Sequence, residues 1–451
     1  MITIFTETKT KRLQYTLQVI FKQVLGEEFS IIADWDRFQK LDLPKINYSK
    51  KKHEGIINIK PHTLLFETDI KNIKPAVSAH DGLPAFFFTS KETYFPYDVF
   101  AAAFYLFSRY EEYQEHKSDK HGRFNVYESI AYKESFLEIP VVNLWAQRIK
   151  TILQKQNQGY LFQSQAFSYV STIDIDMAFT FKNKGLWRTI GGFTRELLNL
   201  NLKKIEKYVK VIQGKEEDPF NNFEYQHQIH QRYGTKAIYF VLIGDYGKYD
   251  KNINFENEDF IDIIQRLSSN YPVGIHPSYS SNKIKKSLDK EIKRLENIIL
   301  DDVVLSRQHF LKLDIRETYK ALVKLGIKED HSIGYSELPG FRASICSAYP
   351  FFDLDKNETL PITVYPFCLM DVALNRFLKL GKAESIKRIE KLMAEVKKVN
   401  GSFISVFHNE SLSDFDNWRG WREVYEKMLS LAQSEQDTIH SEPRYKPLEM
   451  G

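Results

Sequence analysis

Ser171-Thr172-Ile173-Asp174-Ile175-Asp176-Met177-Ala178-Phe179 decides how this chain is read. An apolar run, Ala166-Phe167-Ser168-Tyr169-Val170, leads into it and reads as a buried strand. Two carboxylates then stand two residues apart where that strand should end. Strand side chains alternate faces, so Asp174 and Asp176 share one face while the extended form persists. Two acids on one small surface repel unless a cation or a proton sits between them. An isolated pair of this kind is more often a solvated strand end than a site, so the surrounding chain has to decide.

Downstream, the pattern is strand, loop, helix, repeated. Lys236-Ala237-Ile238-Tyr239-Phe240-Val241-Leu242 is a continuous apolar run, as expected for a strand covered on both faces. Phe260, Ile263, Ile264 and Leu267 follow at helical spacing. Pro272-Val273-Gly274-Ile275-His276 reads as the next strand, and Ile284, Leu288, Ile292, Leu295 and Ile299 mark a long helix. Val303 to His309 is read as another strand, and Asp314 as the cap of a helix with Glu317 at its third position and Gly326 past its end. Ile362 to Pro366 and Ser402 to His408 complete the strands, with a helix between them carrying Ile386, Ile389, Met393 and Val396. Repeated units of this length predict a parallel sheet or a (β/α) barrel. Lys182 to Gly234 breaks the rhythm and reads as a helical insertion, including Arg195 to Val211, near the mouth of that barrel.

Upstream, the first 160 or so residues predict a smaller α/β unit. Leu13, Leu17, Ile20 and Val24 share a helical face that Gly26 can stop, and Phe29 to Ala33 and Gly55 to Ile59 look like short strands. Asp98 can cap the apolar helix Val99 to Phe107. That helix runs into Arg109, Glu111 and Glu112 and then a polar loop holding His121-Gly122-Arg123-Phe124. The patch is most simply a charged end with local ion pairs, with a binding role as the alternative. The polar stretch Gln154 to Gly159 is the candidate linker. The domains expected are therefore 1–160, a barrel over 165–432 with its insertion at 182–234, and a polar tail over 433–451.

Among 451 residues, 63 Lys plus Arg nearly balance 59 Asp plus Glu, which gives no strong basic field for nucleic acid. Two cysteines, Cys346 and Cys368, are too few for a disulfide framework. No run of 18 or more apolar residues spans a membrane, and no secretion signal is visible near Met1, so a cytoplasmic location is expected. The oligomeric state is left open.

Polar residues recur at the ends of successive strands: Asp174 and Asp176, His276, His309 and His408. In a parallel barrel those C-terminal ends converge on one face. Residues 165 to 415 resemble the NodB-like polysaccharide deacetylases of carbohydrate esterase family four. Thr172-Ile173-Asp174-Ile175-Asp176 resembles their T-F-D-D motif with one residue inserted, and Ala237-Ile238-Tyr239-Phe240-Val241 their A-T-F-F-V strand. His276-Pro277-Ser278-Tyr279-Ser280 is similar to H-[ST]-x-x-H, Arg307 to the arginine that opens the third motif, and Val406-Phe407-His408 to L-x-H. The N-terminal region and Gly340-Phe341-Arg342-Ala343 resemble a Bacteroidetes subgroup that carries its own N-terminal domain.

The resemblance implies a metal-dependent hydrolase that removes acetyl groups from an N- or O-acetylated carbohydrate, with zinc, or else nickel or cobalt, as cofactor. It implies Asp174 as general base, His408 as general acid, Arg307 holding Asp174, and Asp176 and His276 as metal ligands. The family's second ligand histidine falls on Ser280, a poor zinc ligand, and His309 is the candidate replacement. Asp330 and Arg342 are expected on loops of the same face, where they contact substrate or form structural ion pairs. Two alternatives stay open: a D-x-D glycosyltransferase, which leaves three histidines unexplained, and a carbohydrate-binding scaffold with a decayed metal site.

Overall fold

The structure is a computed structural model that describes residues 1–90, 93–185, 198, 202–281 and 285–433. The expected polar tail lies outside the described residues from 434 onward, as do most of 186–201 in the expected insertion and Ile284 of the long helix. What is described of the insertion is helical, at Leu202–Ile212 and Phe223–Arg232. The fold is mixed α/β.

The first sheet has four parallel strands, β1 (Ile2–Phe5), β2 (Phe29–Ile32), β3 (Lys45–Asn47) and β4 (Ile57–Asn58), in the order β2-β1-β3-β4. A helical crossover from Lys11 to Leu25 connects β1 to β2. Thr10 caps its start, accepting from the Leu13 N–H, and Gly26 ends it at φ 71°, a left-handed conformation that suits a residue without Cβ. A small hairpin follows, β5 (Ser78–His80) with β6 (Leu83–Ala85). Asp98 caps the helix Val99–Phe107 through the Phe100 and Ala101 N–H groups, and all nine residues of that helix are buried. Helix Val141–Gln156 closes this part of the chain.

The second sheet has nine strands: β7 (Ser168–Ile175), β8 (Lys236–Val241), β9 (Val273–Ile275), β10 (Leu305–Ser306), β11 (Glu329–Asp330), β12 (Tyr349–Asp353), β13 (Glu358–Val364), β14 (Leu369–Met370) and β15 (Ser402–His408). Their order is β12-β13-β11-β10-β9-β8-β7-β15-β14, parallel throughout except for β12. The two edge strands of this sheet are β12 and β14, and no ladder joins them among the described residues. The first and last long strands, β7 and β15, lie side by side, with His408 in register with Asp174.

Two local expectations change, and one strand is new. The strand expected to reach His309 stops at Ser306, and His309 opens a short 3-10 turn, His309–Leu311. The helix expected to be capped by Asp314 begins at Thr318, because Asp314 Oδ1 accepts the Arg316 N–H in a turn ahead of it. The antiparallel edge strand β12 was not anticipated from its aromatic sequence.

The two sheets are joined through a buried charge cluster. Arg109 Nε donates to Glu112 Oε1 at 2.7 Å, and Arg342 grips the same carboxylate with two bonds, Nε to Oε1 at 2.9 Å and Nη2 to Oε2 at 2.6 Å. Burial raises the Glu112 pKa, but Arg342 and Arg109 overcome it and hold the carboxyl at about 2. Removing one member of a buried cluster strands the others, at a cost of about 3–5 kcal/mol. Glu112→Ala is therefore expected to lower unfolding stability by that amount in a urea titration at neutral pH. A carboxyl depressed in the folded state stabilises above its unfolded pKa and loses that contribution as pH falls through the folded value. The gap between wild type and Glu112→Ala should thus stay constant above the ordinary 4.5 and close as pH falls toward about 2; a gap independent of pH would contradict the assignment.

Candidate active site

The C-terminal ends of the parallel strands open on a cavity of about 580 Å³. Asp174, Asp176, His276, His309 and His408 all line it. Asp174 is the penultimate residue of β7 and is buried, whereas Asp176, just past the strand, keeps 34% of its side chain exposed. His276 follows β9 and His408 ends β15.

Each of the three imidazoles is fixed through its Nδ1. His276 Nδ1–H donates to the Arg307 carbonyl at 2.6 Å, His309 Nδ1–H to Asp250 Oδ1 at 2.9 Å, and His408 Nδ1–H to Asp371 Oδ1 at 2.9 Å. Carbonyl and carboxylate oxygens only accept, so the proton on Nδ1 is set by its partner. Every Nε2 is then turned on one carboxylate. His276 Nε2 lies 3.2 Å from Asp176 Oδ1, and His309 and His408 Nε2 lie 3.6 Å and 4.0 Å from Oδ2.

The charges respond. Burial raises the pKa of Asp176, but His309, His276 and His408 outweigh it and hold the carboxyl well below its usual range. Burial disfavours a charged ring at His309, and Asp176 and Asp250 overcome it to push the ring up to about 9. His408 is lowered by burial and raised more strongly by Asp371, with Asp176 and Asp174 adding to it, and stands at about 10.

Asp174 is held differently. Arg307, fully buried, donates from Nη1 to Asp174 Oδ1 at 2.9 Å and to Thr172 Oγ1 at 2.7 Å. That leaves Asp174 Oδ2 facing His276 Nε2 at 3.8 Å.

Donor atoms of Asp176, His276 and His309 all lie within 4.8 Å of one another. Asp176 Oδ1 is buried with no hydrogen-bond partner among the described residues, although an imidazole nitrogen is 3.2 Å away. Zinc–ligand bonds of about 2.0–2.2 Å put tetrahedral donors about 3.4 Å apart, close to the spacings found here. A carboxylate with two imidazoles is also a donor set that catalytic zinc accepts. The residues therefore fit a small divalent cation. Ser280 stays out of this group: its hydroxyl bonds to Ser278 Oγ at 2.9 Å and its N–H faces Asp250.

The structure does not bring Asp330 and Arg342 to the cavity. Asp330 is fully buried and accepts from Ser306 Oγ at 2.7 Å, Ser332 Oγ at 2.9 Å, Tyr319 Oη at 3.1 Å and the Ser332 N–H at 2.9 Å. Arg342 is committed to Glu112. Both are structural, since every polar group they offer is used inside the protein. Two partners of these imidazoles went unread in the sequence, Asp250 and Asp371. Asp250 sits in the loop after β8, and Asp371 directly follows the two-residue strand β14, too short to signal itself. Asp371 is buried and also accepts the His408 N–H at 2.8 Å.

Residues 2–158 match the profile of a family of unknown function, DUF7033. No curated protein matches the chain. Among solved structures the chain is similar to one described as a polysaccharide deacetylase from Mycobacterium smegmatis, at 11% identity and a TM-score of 0.40, covering 62% of this chain and 88% of that one. A polysaccharide deacetylase from Bacillus cereus aligns at 13% identity and a TM-score of 0.30, covering 62% and 95%. A mutant of a carbohydrate esterase family four pseudoenzyme, described as having restored activity, aligns at 12% identity and a TM-score of 0.27, covering 60% and 64%. No helix among the described residues is long and apolar enough to cross a membrane.

The turn that presents His309 is strained. Phe310 and Leu311 follow at φ 58° and 49°, left-handed values that non-glycine residues hold only with outside support. Arg123 supplies it, donating from Nη1 to the Phe310 carbonyl at 2.7 Å. Arg123→Ala is expected to speed deuterium uptake across 309–313 with little change elsewhere in the second sheet; unchanged exchange in this turn would rule out the support.

Proposed function

We propose that the protein is a metal-dependent hydrolase that removes acetyl groups from an N- or O-acetylated carbohydrate, built on an open barrel whose edge strands are β12 and β14. We further propose that the chain divides near residue 160, because the first sheet uses only residues 2–58 and the second only 168–408. The observation that carries the functional reading is the convergence of three Nδ1-anchored imidazoles, Nε2 foremost, on Asp176. Histidines that ligate metals characteristically donate the other ring N–H to a carbonyl or carboxylate.

Asp176, His276 and His309 would hold the ion, His309 giving up its Nε2 proton on binding, and His309 takes the place that Ser280 leaves empty of nitrogen. A divalent ion bound there supplies Lewis-acid polarisation of the acyl carbonyl and acidifies water. The remaining work belongs to side chains. Arg307 fixes Asp174 Oδ1 and leaves Oδ2 on the cavity side to take a proton from the attacking water. His408 has Asp371 behind its Nδ1, which favours the protonated ring and leaves Nε2–H on the cavity side. It is placed to protonate the leaving nitrogen or oxygen of the sugar as the acyl bond breaks.

Elemental analysis tests the ligand set. Asp176→Ala and His276→Ala are each expected to lose a bound divalent ion, and His309→Ala to weaken it, while Ser280→His restores or strengthens it in the His309→Ala background. Full stoichiometry in all three alanine variants would end the metal reading. Asp174→Asn is nearly isosteric but cannot accept a proton at neutral pH. It is expected to keep the ion and lose about 10²- to 10⁴-fold of the acetate-release rate from an N-acetylated oligosaccharide; wild-type rates would remove Asp174 as base.

A further inference from the structure

The cavity above the three imidazoles is not walled by the second sheet's residues alone. Asp119, Lys120, His121, Arg123, Asn125 and Tyr127, all from the N-terminal part of the chain, close one side of it. This wall is anchored. Besides the Phe310 carbonyl, Arg123 donates to Ser336 Oγ at 2.9 Å and pairs with Asp119 at 2.7 Å and with Glu337. His121 packs against the rings of Phe310, Tyr249 and Tyr279, with centroids 5.2, 5.6 and 5.7 Å away.

Two large aromatic side chains remain exposed on this cavity, Tyr127 at 50% and Phe377 at 52%. Tyr127 stands in the N-terminal wall, braced edge-on by Tyr132 at 4.9 Å. A pyranose ring presents weakly positive C–H groups on its faces, which suit the negative face of an aromatic ring. Its rim of hydroxyls needs polar partners, and Lys120 and Asn125 stand in the same wall. The cavity lies within the range of about 300–1,000 Å³ usual for drug-sized ligands, so it exceeds what a single acetyl group needs.

We propose that this wall is a subsite for a further pyranose unit of an oligosaccharide, with the Tyr127 ring as its stacking surface. The choice of a sugar rests on the carbohydrate deacetylase reading above. Calorimetric binding of N-acetylglucosamine and its β-1,4-linked di-, tri- and tetramer to the full chain, with chelator present, reads the subsite without turnover. The dissociation constant is expected to fall about tenfold or more from monomer to dimer, the order that a well-placed interface aromatic supplies. Tyr127→Ala should abolish that gain with length, and Tyr127→Phe should keep it. An equal gain in wild type and Tyr127→Ala, no gain with length in wild type, or no binding of any oligomer would overturn the proposal. Acetate release from the same sugars with zinc restored separates this proposal from the reading it rests on. Tyr127-dependent binding without release from any oligomer sinks the hydrolase and leaves the subsite. Release that ignores both length and Tyr127 leaves the hydrolase and removes the subsite.

Discussion

Arg307 is fully buried, and its groups reach residues of four strands or their ends. Its guanidinium holds Asp174 and Thr172 of β7, donates from Nε to the His331 carbonyl beyond β11, and lies over Phe240 of β8 at 4.6 Å. Its own carbonyl takes the Nδ1–H of His276 beyond β9. Taking one charge out of water costs several kcal/mol even after relaxation, and a web of partners is what offsets it. One residue thereby sets both the orientation of a carboxylate and the tautomer of an imidazole. Its Nη2 has no hydrogen-bond partner among the described residues.

The ends of strands were legible because alternation and apolar runs locate them without knowledge of neighbours. Asp174, Asp176, His276 and His408 could be placed that way, and the spare imidazole at residue 309 could be noticed by the lack of one at residue 280. The register of the last strand could not be read, since β15 pairs with β7 across more than half the chain. Asp330 and Arg342 could not be resolved between substrate contact and structural pairing for a related reason. Their partners, Ser306 and Tyr319 for one and Glu112 for the other, are distant in sequence, so a buried structural acid and a substrate-binding acid look alike in a linear reading. Asp371 is the converse, a residue whose role exists only because β14 lies beside β15.

The N-terminal part meets the second sheet at points of very different chemistry. At one, the Glu112 carboxylate sits between two guanidiniums in a region closed to water. At another, Tyr15 Oη donates to the Pro350 carbonyl at 2.8 Å and Arg12 Nε to Asn357 Oδ1 at 2.9 Å, along the antiparallel edge of β12 and β13. At the third, Arg123 reaches the turn after His309. The first two fix where the N-terminal part sits, and the third makes that placement felt within a few ångströms of the imidazoles.

The pairing of β7 with β15 also bears on how the chain acquires its centre during synthesis. Ser168 to Asp174 align with Ser402 to His408 in seven consecutive register pairs. Parallel pairing between segments so far apart requires a large loop to close before any contact rewards it, which makes such steps slow. A nascent chain that has emerged only through β13 can hold Asp174, Asp176, His276 and His309, but it lacks both His408 and the Asp371 that anchors it. A chain interrupted after β13 therefore lacks the strand that pairs with β7, the imidazole that completes the cavity and the carboxylate that anchors that imidazole.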